Sequence, residues 1–249
     1  MSSKSTLVPF GTGVGVALRL LSTPISPSNR VREPVKPTTG RVVGYFPSVK
    51  NNRSIAWESQ LEQKACYVFE FSPEIIKYRE QPLSIYYRLN GELLRYTPDF
   101  ELTLLSGELI YVEVKPGAKL QTQELQEKLG AISLYWKEKG LQFLIITDQE
   151  LNHPILQSNL KLLRSYLRVK CDAELVQIST HWLKQQDNPI IGDLAAYLNS
   201  LNKVYSLLAH QFVLTNLHEK IQHESQLYLQ EKNRYENQLF SRGLATDIE

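Results

Sequence analysis

The sequence predicts an α/β protein: a domain-sized core over residues 41–152, a helical module over residues 153–249 and a flexible basic arm over residues 1–40. Three observations predict it. Between Leu83 and Lys115 short apolar/polar segments are punctuated by turn signals, the pattern of antiparallel strands. Apolar residues recur at helical spacing on either side, at Leu61, Ala65, Val68 and Phe69 and again at Leu125, Leu129, Ile132 and Trp136. Leu141–Thr147 is a short unbroken apolar run, the mark of a strand buried on both faces. Helix, hairpins, helix and buried strand in that order make a layered core.

Residues 1–40 hold Pro9, Pro24, Pro27, Pro34 and Pro37 among Ser and Thr, which suits an extended arm. Arg41–Ser54, with Gly44, Pro47 and Asn51-Asn52, reads as an irregular basic lead-in loop. A helix is expected from Ser54, as N-cap, to about Phe71, with Glu58 and Glu62 one turn apart on its flank. Ser72-Pro73 stops it, and Ile75–Pro82 leads into strands. Leu83–Leu89 and Glu92–Tyr96 flank Asn90-Gly91, a strong hairpin turn. Asp99–Leu104 and Glu108–Lys115 complete a small mixed sheet that Pro116-Gly117 ends. A second helix is expected over Gln121–Lys139 with Gly140 just past its end. The run Leu141–Thr147 follows, and Asp148 is placed to cap the next segment.

From about Leu151 the pattern becomes helical. Helices are expected over Leu156–Lys170, Gln177–Gln185, Ile190–Leu201 and Val204–Leu217. Ile191-Gly192-Asp193-Leu194 resembles the start of a helix-turn-helix, so the module reads as helical or winged-helix. The polar tail Gln222–Phe240 suits a wing hairpin or a helix.

With 249 residues, 42% of them hydrophobic, and three Trp, the chain has enough apolar mass for real cores. A formal net charge of +2 does not make the whole protein a polyanion binder. The charge is uneven, however: Lys4, Arg19, Arg30, Arg32 and Lys36 against Glu33 give the arm +4 and leave −2 for the rest. Such an arm either tracks phosphates or is simply a solvated tail. Cys66 and Cys171 are far apart and form no metal spacing, which points to a reducing compartment and the cytoplasm. Leu7–Leu21 is broken by Arg19 and is too short for a membrane span. Gly11-Thr12-Gly13-Val14-Gly15 lacks the Lys-Ser/Thr of a phosphate loop. His210, His218 and His223 fit no zinc motif, and Trp57, Trp136 and Trp182 read as packing residues.

The chemistry gathers between Glu62 and Lys115. Asp99 opens one strand, and Val112-Glu113-Val114-Lys115 closes the next. Period 2 sets Glu113 and Lys115 on one face and the two valines on the other. Two carboxylates beside a lysine form a divalent-metal nuclease arrangement, because Mg²⁺ takes one or two carboxylates plus a substrate phosphate. The register decides whether the carboxylates meet. A two-residue loop at Ser106-Gly107 would pair Leu105 with Glu108 and set Asp99 opposite Val114. A three-residue loop ending in a left-handed Gly107 would pair Leu104 with Glu108 and set Asp99 opposite Glu113. A working site requires the second, or a bulge elsewhere.

Several stretches together resemble the TnsA family of transposon-end endonucleases. They are Ser59-Gln60-Leu61-Glu62, Ile76-Lys77-Tyr78-Arg79-Glu80-Gln81-Pro82, Thr97-Pro98-Asp99-Phe100, Glu113-Val114-Lys115-Pro116 and Ile145–Asn152, with Thr39-Gly40-Arg41 and Arg53-Ser54-Ile55 as lead-in. Their order and spacing cover most of residues 39–152. The resemblance implies an α/β fold with a restriction-endonuclease-like core and a C-terminal helical/winged-helix domain. It implies cleavage of the 5′ strands at transposon ends, the strands not joined to target. Transposon-end DNA, a DDE-type transposase and an AAA+ ATPase regulator are the implied partners, with no membrane. It assigns Glu62 as the helix carboxylate, Asp99 as the central metal ligand, Glu113 as the second ligand position and Lys115 as the catalytic lysine. Some members carry Gln where this chain has Glu113. The expected metal is Mg²⁺, with Mn²⁺ as the alternative, on Asp99, Glu113, the Val114 carbonyl and Glu62. Two other readings stand beside this one: a stand-alone restriction or repair nuclease of the same fold, and a non-catalytic DNA or protein adaptor.

Overall fold

The computed structural model describes residues 42–229. The expected basic arm over residues 1–40 and the end of the tail beyond 229 lie outside the described residues.

The chain enters as a hairpin, not as the expected loop and helix start. Strand β1 (Gly44–Ser48) pairs antiparallel with β2 (Arg53–Trp57). Phe46, Ile55 and Trp57 go inward and bury their apolar surface. Gly44 is required here, since a Cβ would sit 2.4 Å from Trp57 Cζ2. Ser54 therefore lies in a strand, and the helix α1 (Gln60–Phe71) begins later, with Ser59 as N-cap. The buried Glu70 carboxylate ties the hairpin to α1. It accepts from Ser48 Oγ at 2.6 Å, Val49 N–H at 2.8 Å, Lys50 N–H at 3.0 Å and the Tyr78 hydroxyl at 2.7 Å. With four donors its burial carries no unsatisfied charge.

The main sheet has four strands in the order β3 (Ile75–Glu80), β6 (Phe100–Leu104), β7 (Leu109–Lys115), β8 (Gln142–Thr147). β3, β6 and β7 run antiparallel, and β7 pairs parallel with β8. Helix α2 (Gln123–Glu138) makes the crossover that a parallel pair needs. It ends at Lys139, and Gly140 has φ of 67°. Between β3 and β6 the chain makes a separate hairpin, β4 (Ile85–Leu89) and β5 (Glu92–Tyr96). Asn90 and Gly91 both have positive φ, as the tight hairpin turn demands.

β8 is an edge strand covered on both faces, as expected: Leu144 and Ile146 pack into one apolar cluster, and Phe143 and Ile145 into the other. One correction concerns the residue that follows it: the short helix α3 (Asp148–Leu151) is capped by Thr147 rather than Asp148. The Asp148 carboxylate instead accepts the Gly117 N–H at 2.6 Å and holds the turn after β7.

Four further helices follow: α4 (Pro154–Arg164), α5 (Ala173–Leu183), α6 (Ile191–Tyr197) and α7 (Leu201–Ala209). The first and last stop well short of the expected Lys170 and Leu217. After α7 the chain turns at Gln211, φ 60°, and becomes extended. Leu214 bridges Tyr228 and Ile190 bridges Gln226, both antiparallel, so the described part of the tail is extended rather than helical.

One face of the main sheet shares a continuous core with α1 and the C-terminal helices, joining Val112 and Val114 to Leu156, Leu160, Leu163, Val204 and Leu207. The other face packs a second cluster with α2 and the β4–β5 hairpin, including Ile85, Tyr87, Tyr96, Leu129 and Ile132. There Tyr111 stacks on Trp136 at 3.9 Å between ring centres, and Trp182 stacks on Tyr197 elsewhere, so both tryptophans serve packing. Alternation along β7 therefore sends Glu113 and Lys115 to the Tyr111 side. No helix among the described residues is long and apolar enough to cross a membrane.

Candidate active site

The β6–β7 turn decides the site. Gly107 is left-handed, with φ of 88°, and donates to the Leu104 carbonyl at 2.9 Å. Leu104 N–H in turn donates to the Glu108 carbonyl at 2.9 Å. This is the three-residue loop, and Phe100 pairs with Val112. Asp99, one residue before β6, therefore stands level with Glu113, the arrangement a working site requires.

The side chains meet there. Lys115 Nζ lies 2.6 Å from Glu113 Oε1 and 3.5 Å from Asp99 Oδ2. Asp99 Oδ2 also accepts the Val114 N–H at 2.8 Å, so Val114 joins the cluster through its amide. Glu113 Oε2 accepts the Tyr96 hydroxyl at 2.5 Å. The side chains of Asp99 and Lys115 are 19% and 29% exposed, that of Glu113 only 6%, so solvent reaches the cluster past the first two.

Glu62 approaches from α1. Its carboxylate accepts the Glu58 N–H at 2.7 Å and the Ser59 hydroxyl at 2.9 Å, while its own N–H donates to Ser59 Oγ at 3.1 Å. These bonds close the helix N-terminus, where a carboxylate also meets the positive end of the helix dipole. Glu62 is near enough for its charge to act on Asp99 and Lys115, but its hydrogen bonds stay at the helix end.

The electrostatics follow from three carboxylates around one ammonium. Burial, then the neighbouring Glu113, push the Asp99 carboxyl well above its ordinary value, against the pull of Lys115. Burial likewise raises Glu62. Burial works against the Lys115 ammonium, but Asp99 and Glu113 outweigh it and hold the group charged above its usual range. Among the described residues no three His, Cys, Asp or Glu side chains are gathered to hold a metal by themselves. Asp99 and Glu113 still fit a hard cation that keeps waters and shares a substrate phosphate, since both offer oxygens in an under-neutralised pocket.

Two residues at the site were not foreseen from sequence. Tyr96 reads only as a strand end, yet its hydroxyl orients Glu113. Gln81 enters the sequence reading only as part of Ile76–Pro82, with no role of its own, yet its N–H donates to the Asp99 carbonyl at 2.9 Å and its Nε2 donates to Glu58 Oε1 at 2.8 Å. Glu58, expected on the flank of the helix, instead precedes it and is part of the support beneath Glu62. The Asn-free, Gly-free stretch around Gln81 carries no local signal for its left-handed backbone.

Residues 72–148 match the family described as TnsA-like endonuclease N terminal. Asp99, Glu113, Lys115, Tyr96 and Gln81 lie inside that stretch, and Glu62 precedes it. Over 124 residues the chain is 32% identical to the Escherichia coli protein named Transposon Tn7 transposition protein TnsA. The aligned part is 45% of this chain and 45% of that relative, so the likeness spans less than half of either. A mixed sheet flanked by helices, with its acidic and basic residues at adjoining strand ends, accords with both findings. Residues 72–148 are thus similar to TnsA-like endonuclease N-terminal domains, and the resemblance that the motifs carry is supported for this part of the chain.

Proposed function

We propose that this protein is a divalent-metal-dependent DNA endonuclease that cuts the 5′ strands at transposon ends. A DDE-type transposase would cut and join the 3′ ends, and an AAA+ ATPase would regulate the pair. The observation that carries the nuclease reading is the Lys115 ammonium set between the Asp99 and Glu113 carboxylates at a solvent-reached strand end. The transposon reading rests on likeness to a relative named as a transposition protein.

Mg²⁺, or Mn²⁺ in its place, would be held by Asp99 and Glu113, with the Val114 carbonyl and Glu62 as further positions, and when bound it polarises a phosphate and makes hydroxide available near neutral pH. Lys115 holds a phosphate oxygen or the attacking water as a point charge. The Tyr96 hydroxyl and the Val114 N–H fix the orientation of Glu113 and Asp99, a supporting role that sharpens ligand geometry. Burial and the neighbouring Glu113 push the Asp99 carboxyl up, so a bound cation would offset the crowding of carboxylates there.

We read residues 41–152 as the restriction-endonuclease-like catalytic domain and residues 153–249 as a winged-helix-like partner-binding domain. Three consecutive helices, α5 to α7, followed by extended segments bridged at Ile190–Gln226 and Leu214–Tyr228, support that reading. Such a protein would act in the cytoplasm, where Cys66 and Cys171 stay free thiols.

The test is strand-specific cleavage of transposon-end duplex by the full chain, with and without the two partners and Mg²⁺. Metal-dependent nicks on the 5′ strands are expected, and Asp99→Ala should lose them by at least ~10²-fold while keeping its melting temperature. No cleavage with both partners present would leave an adaptor. Efficient cutting of ordinary duplex without partners would leave a stand-alone nuclease.

A further inference from the structure

The β4–β5 hairpin has two unlike faces. Its inner face buries Ile85, Tyr87 and Tyr96 against α2 and the main sheet. Its outer face follows from the register. Tyr86 pairs with Arg95 and Arg88 with Leu93, and paired residues share a face. All four are exposed, Tyr86 by 51% and Leu93 by 60%. At the base, Arg95 Nη2 donates to Ser84 Oγ at 3.0 Å, and Ser84 Oγ lies 2.7 Å from Thr97 Oγ1. No Asp or Glu falls on this face: the hairpin's Glu92 pairs with Leu89 and points the other way. Among the described residues neither Arg88 nor Arg95 pairs with a carboxylate.

The hairpin is also fixed to the candidate site. Only Thr97 and Pro98 separate Tyr96 from Asp99, and the inner-face Tyr96 hydroxyl donates to Glu113. A surface rigidly joined to the acidic cluster, carrying cations without counter-ions and an aromatic ring, suits a polyanion lying across the site. Arginine forks match phosphate oxygens, and diagonal neighbours about 7–8 Å apart let two guanidiniums take neighbouring phosphates of one strand.

We propose that the outer face of the β4–β5 hairpin, through Arg88, Arg95 and Tyr86, grips the sugar–phosphate backbone of duplex DNA beside the point of cleavage. This rests on the nuclease reading of the adjoining site. It assigns the hairpin to substrate positioning and leaves chemistry to the acidic cluster.

The experiment titrates the full chain with a short labelled duplex of arbitrary sequence, in chelator, across a series of salt concentrations. Wild type, Arg88→Ala/Arg95→Ala and Arg88→Lys/Arg95→Lys are compared, with melting temperatures as a control on folding. Two lost phosphate contacts should lower the slope of log K against log salt by about 1.8, at about 0.9 per phosphate. The lysine pair should keep most of the slope but bind more weakly, since a point charge replaces a fork. In cleavage, the alanine pair should raise KM more than it lowers kcat. An unchanged slope and KM in a folded alanine variant overturns the proposal. So does a defect that appears only when a protein partner is added, which would make this a protein-docking face. If wild type binds through this face but cuts no DNA with any divalent metal, the grip stands and the nuclease reading fails.

Discussion

Gln81 donates its backbone N–H to the carbonyl oxygen of Asp99 at 2.9 Å from a left-handed conformation with φ of 44°. That conformation is doubly unfavourable, because Gln81 carries a Cβ and precedes Pro82. The surrounding contacts hold it: the side chain reaches Glu58, and Glu58 N–H in turn holds Glu62. One strained residue thus links the Asp99 backbone to the start of α1.

Substitution at Gln81 should separate strain from support. Gln81→Val, β-branched at a positive φ, should destabilise the protein by roughly 1–3 kcal/mol. Gln81→Gly relieves the backbone but loses the bond to Glu58, so its stability should stay within about 1 kcal/mol of wild type. Its cleavage rate should nonetheless fall, because the Glu58–Glu62 end is left loose. Urea unfolding beside cleavage kinetics reads both. A Val variant as stable as wild type would mean the backbone is not held as described.

Lys115→Ala should lower cleavage by ~10²-fold or more while metal affinity persists, since the carboxylates remain. The metal-free variant should also be less stable, by roughly 1–3 kcal/mol rather than the about 3–5 kcal/mol of a fully buried broken pair. The reason for the smaller figure is that the Lys115 side chain is 29% exposed. Mg²⁺ should return more stability to the variant than to wild type, because it replaces the missing positive charge. Unfolding with and without Mg²⁺ measures this. Loss of metal binding with an unchanged rate per bound metal would contradict the assigned role.

Lys50 supplies a pH signature away from the site. Its ammonium donates to the Phe69 and Ser72 carbonyls at 2.8 and 2.7 Å, and burial lowers it to about 8 against the attraction of Glu70. A neutral amine can keep both donated bonds. Between about pH 8 and the ordinary 10.5 the unfolded chain binds more protons than the folded one, so this group makes stability rise with pH across that window. Lys50→Met should remove that slope. An NMR titration of the Lys50 side chain should show its midpoint near 8; a midpoint at the ordinary lysine value would count against its burial.

Ending the chain after residue 152 should not leave a well-behaved core. Leu156, Leu160 and Leu163 of α4 share one apolar cluster with α1 and the sheet. Their removal returns large side chains to water, each worth about 1.5–3 kcal/mol. The full chain should unfold in one transition by fluorescence and circular dichroism together. Two separated transitions, or a stable monomeric fragment of residues 1–152, would show two independent cores. Partner binding by the C-terminal part is therefore better probed with surface substitutions in the full chain.

What local chemistry dictates was readable from the residues alone. Asn90-Gly91 forces its turn, the apolar stripe through Leu125, Leu129, Ile132 and Trp136 finds its helix, and period 2 along β7 puts Glu113 beside Lys115. Sequence also posed the register question at Gly107 but left both answers open, since a two- and a three-residue loop are each compatible with Ser106-Gly107. Tertiary structure chose the one that brings Asp99 to Glu113. It also overrode the helix expected from Ser54, because Arg53–Trp57 finds a partner in Gly44–Ser48 and Gly44 lets Trp57 close in. Tyr96 and Gln81 became site residues only through contacts with groups 17 and 18 positions away, the Glu113 carboxylate and the Asp99 carbonyl. Short-range preferences act within a turn or a pleat and can be summed along the chain. A hydrogen bond to a distant residue, or a left-handed backbone held by its neighbours, depends on which surfaces meet when the sheet and helices pack.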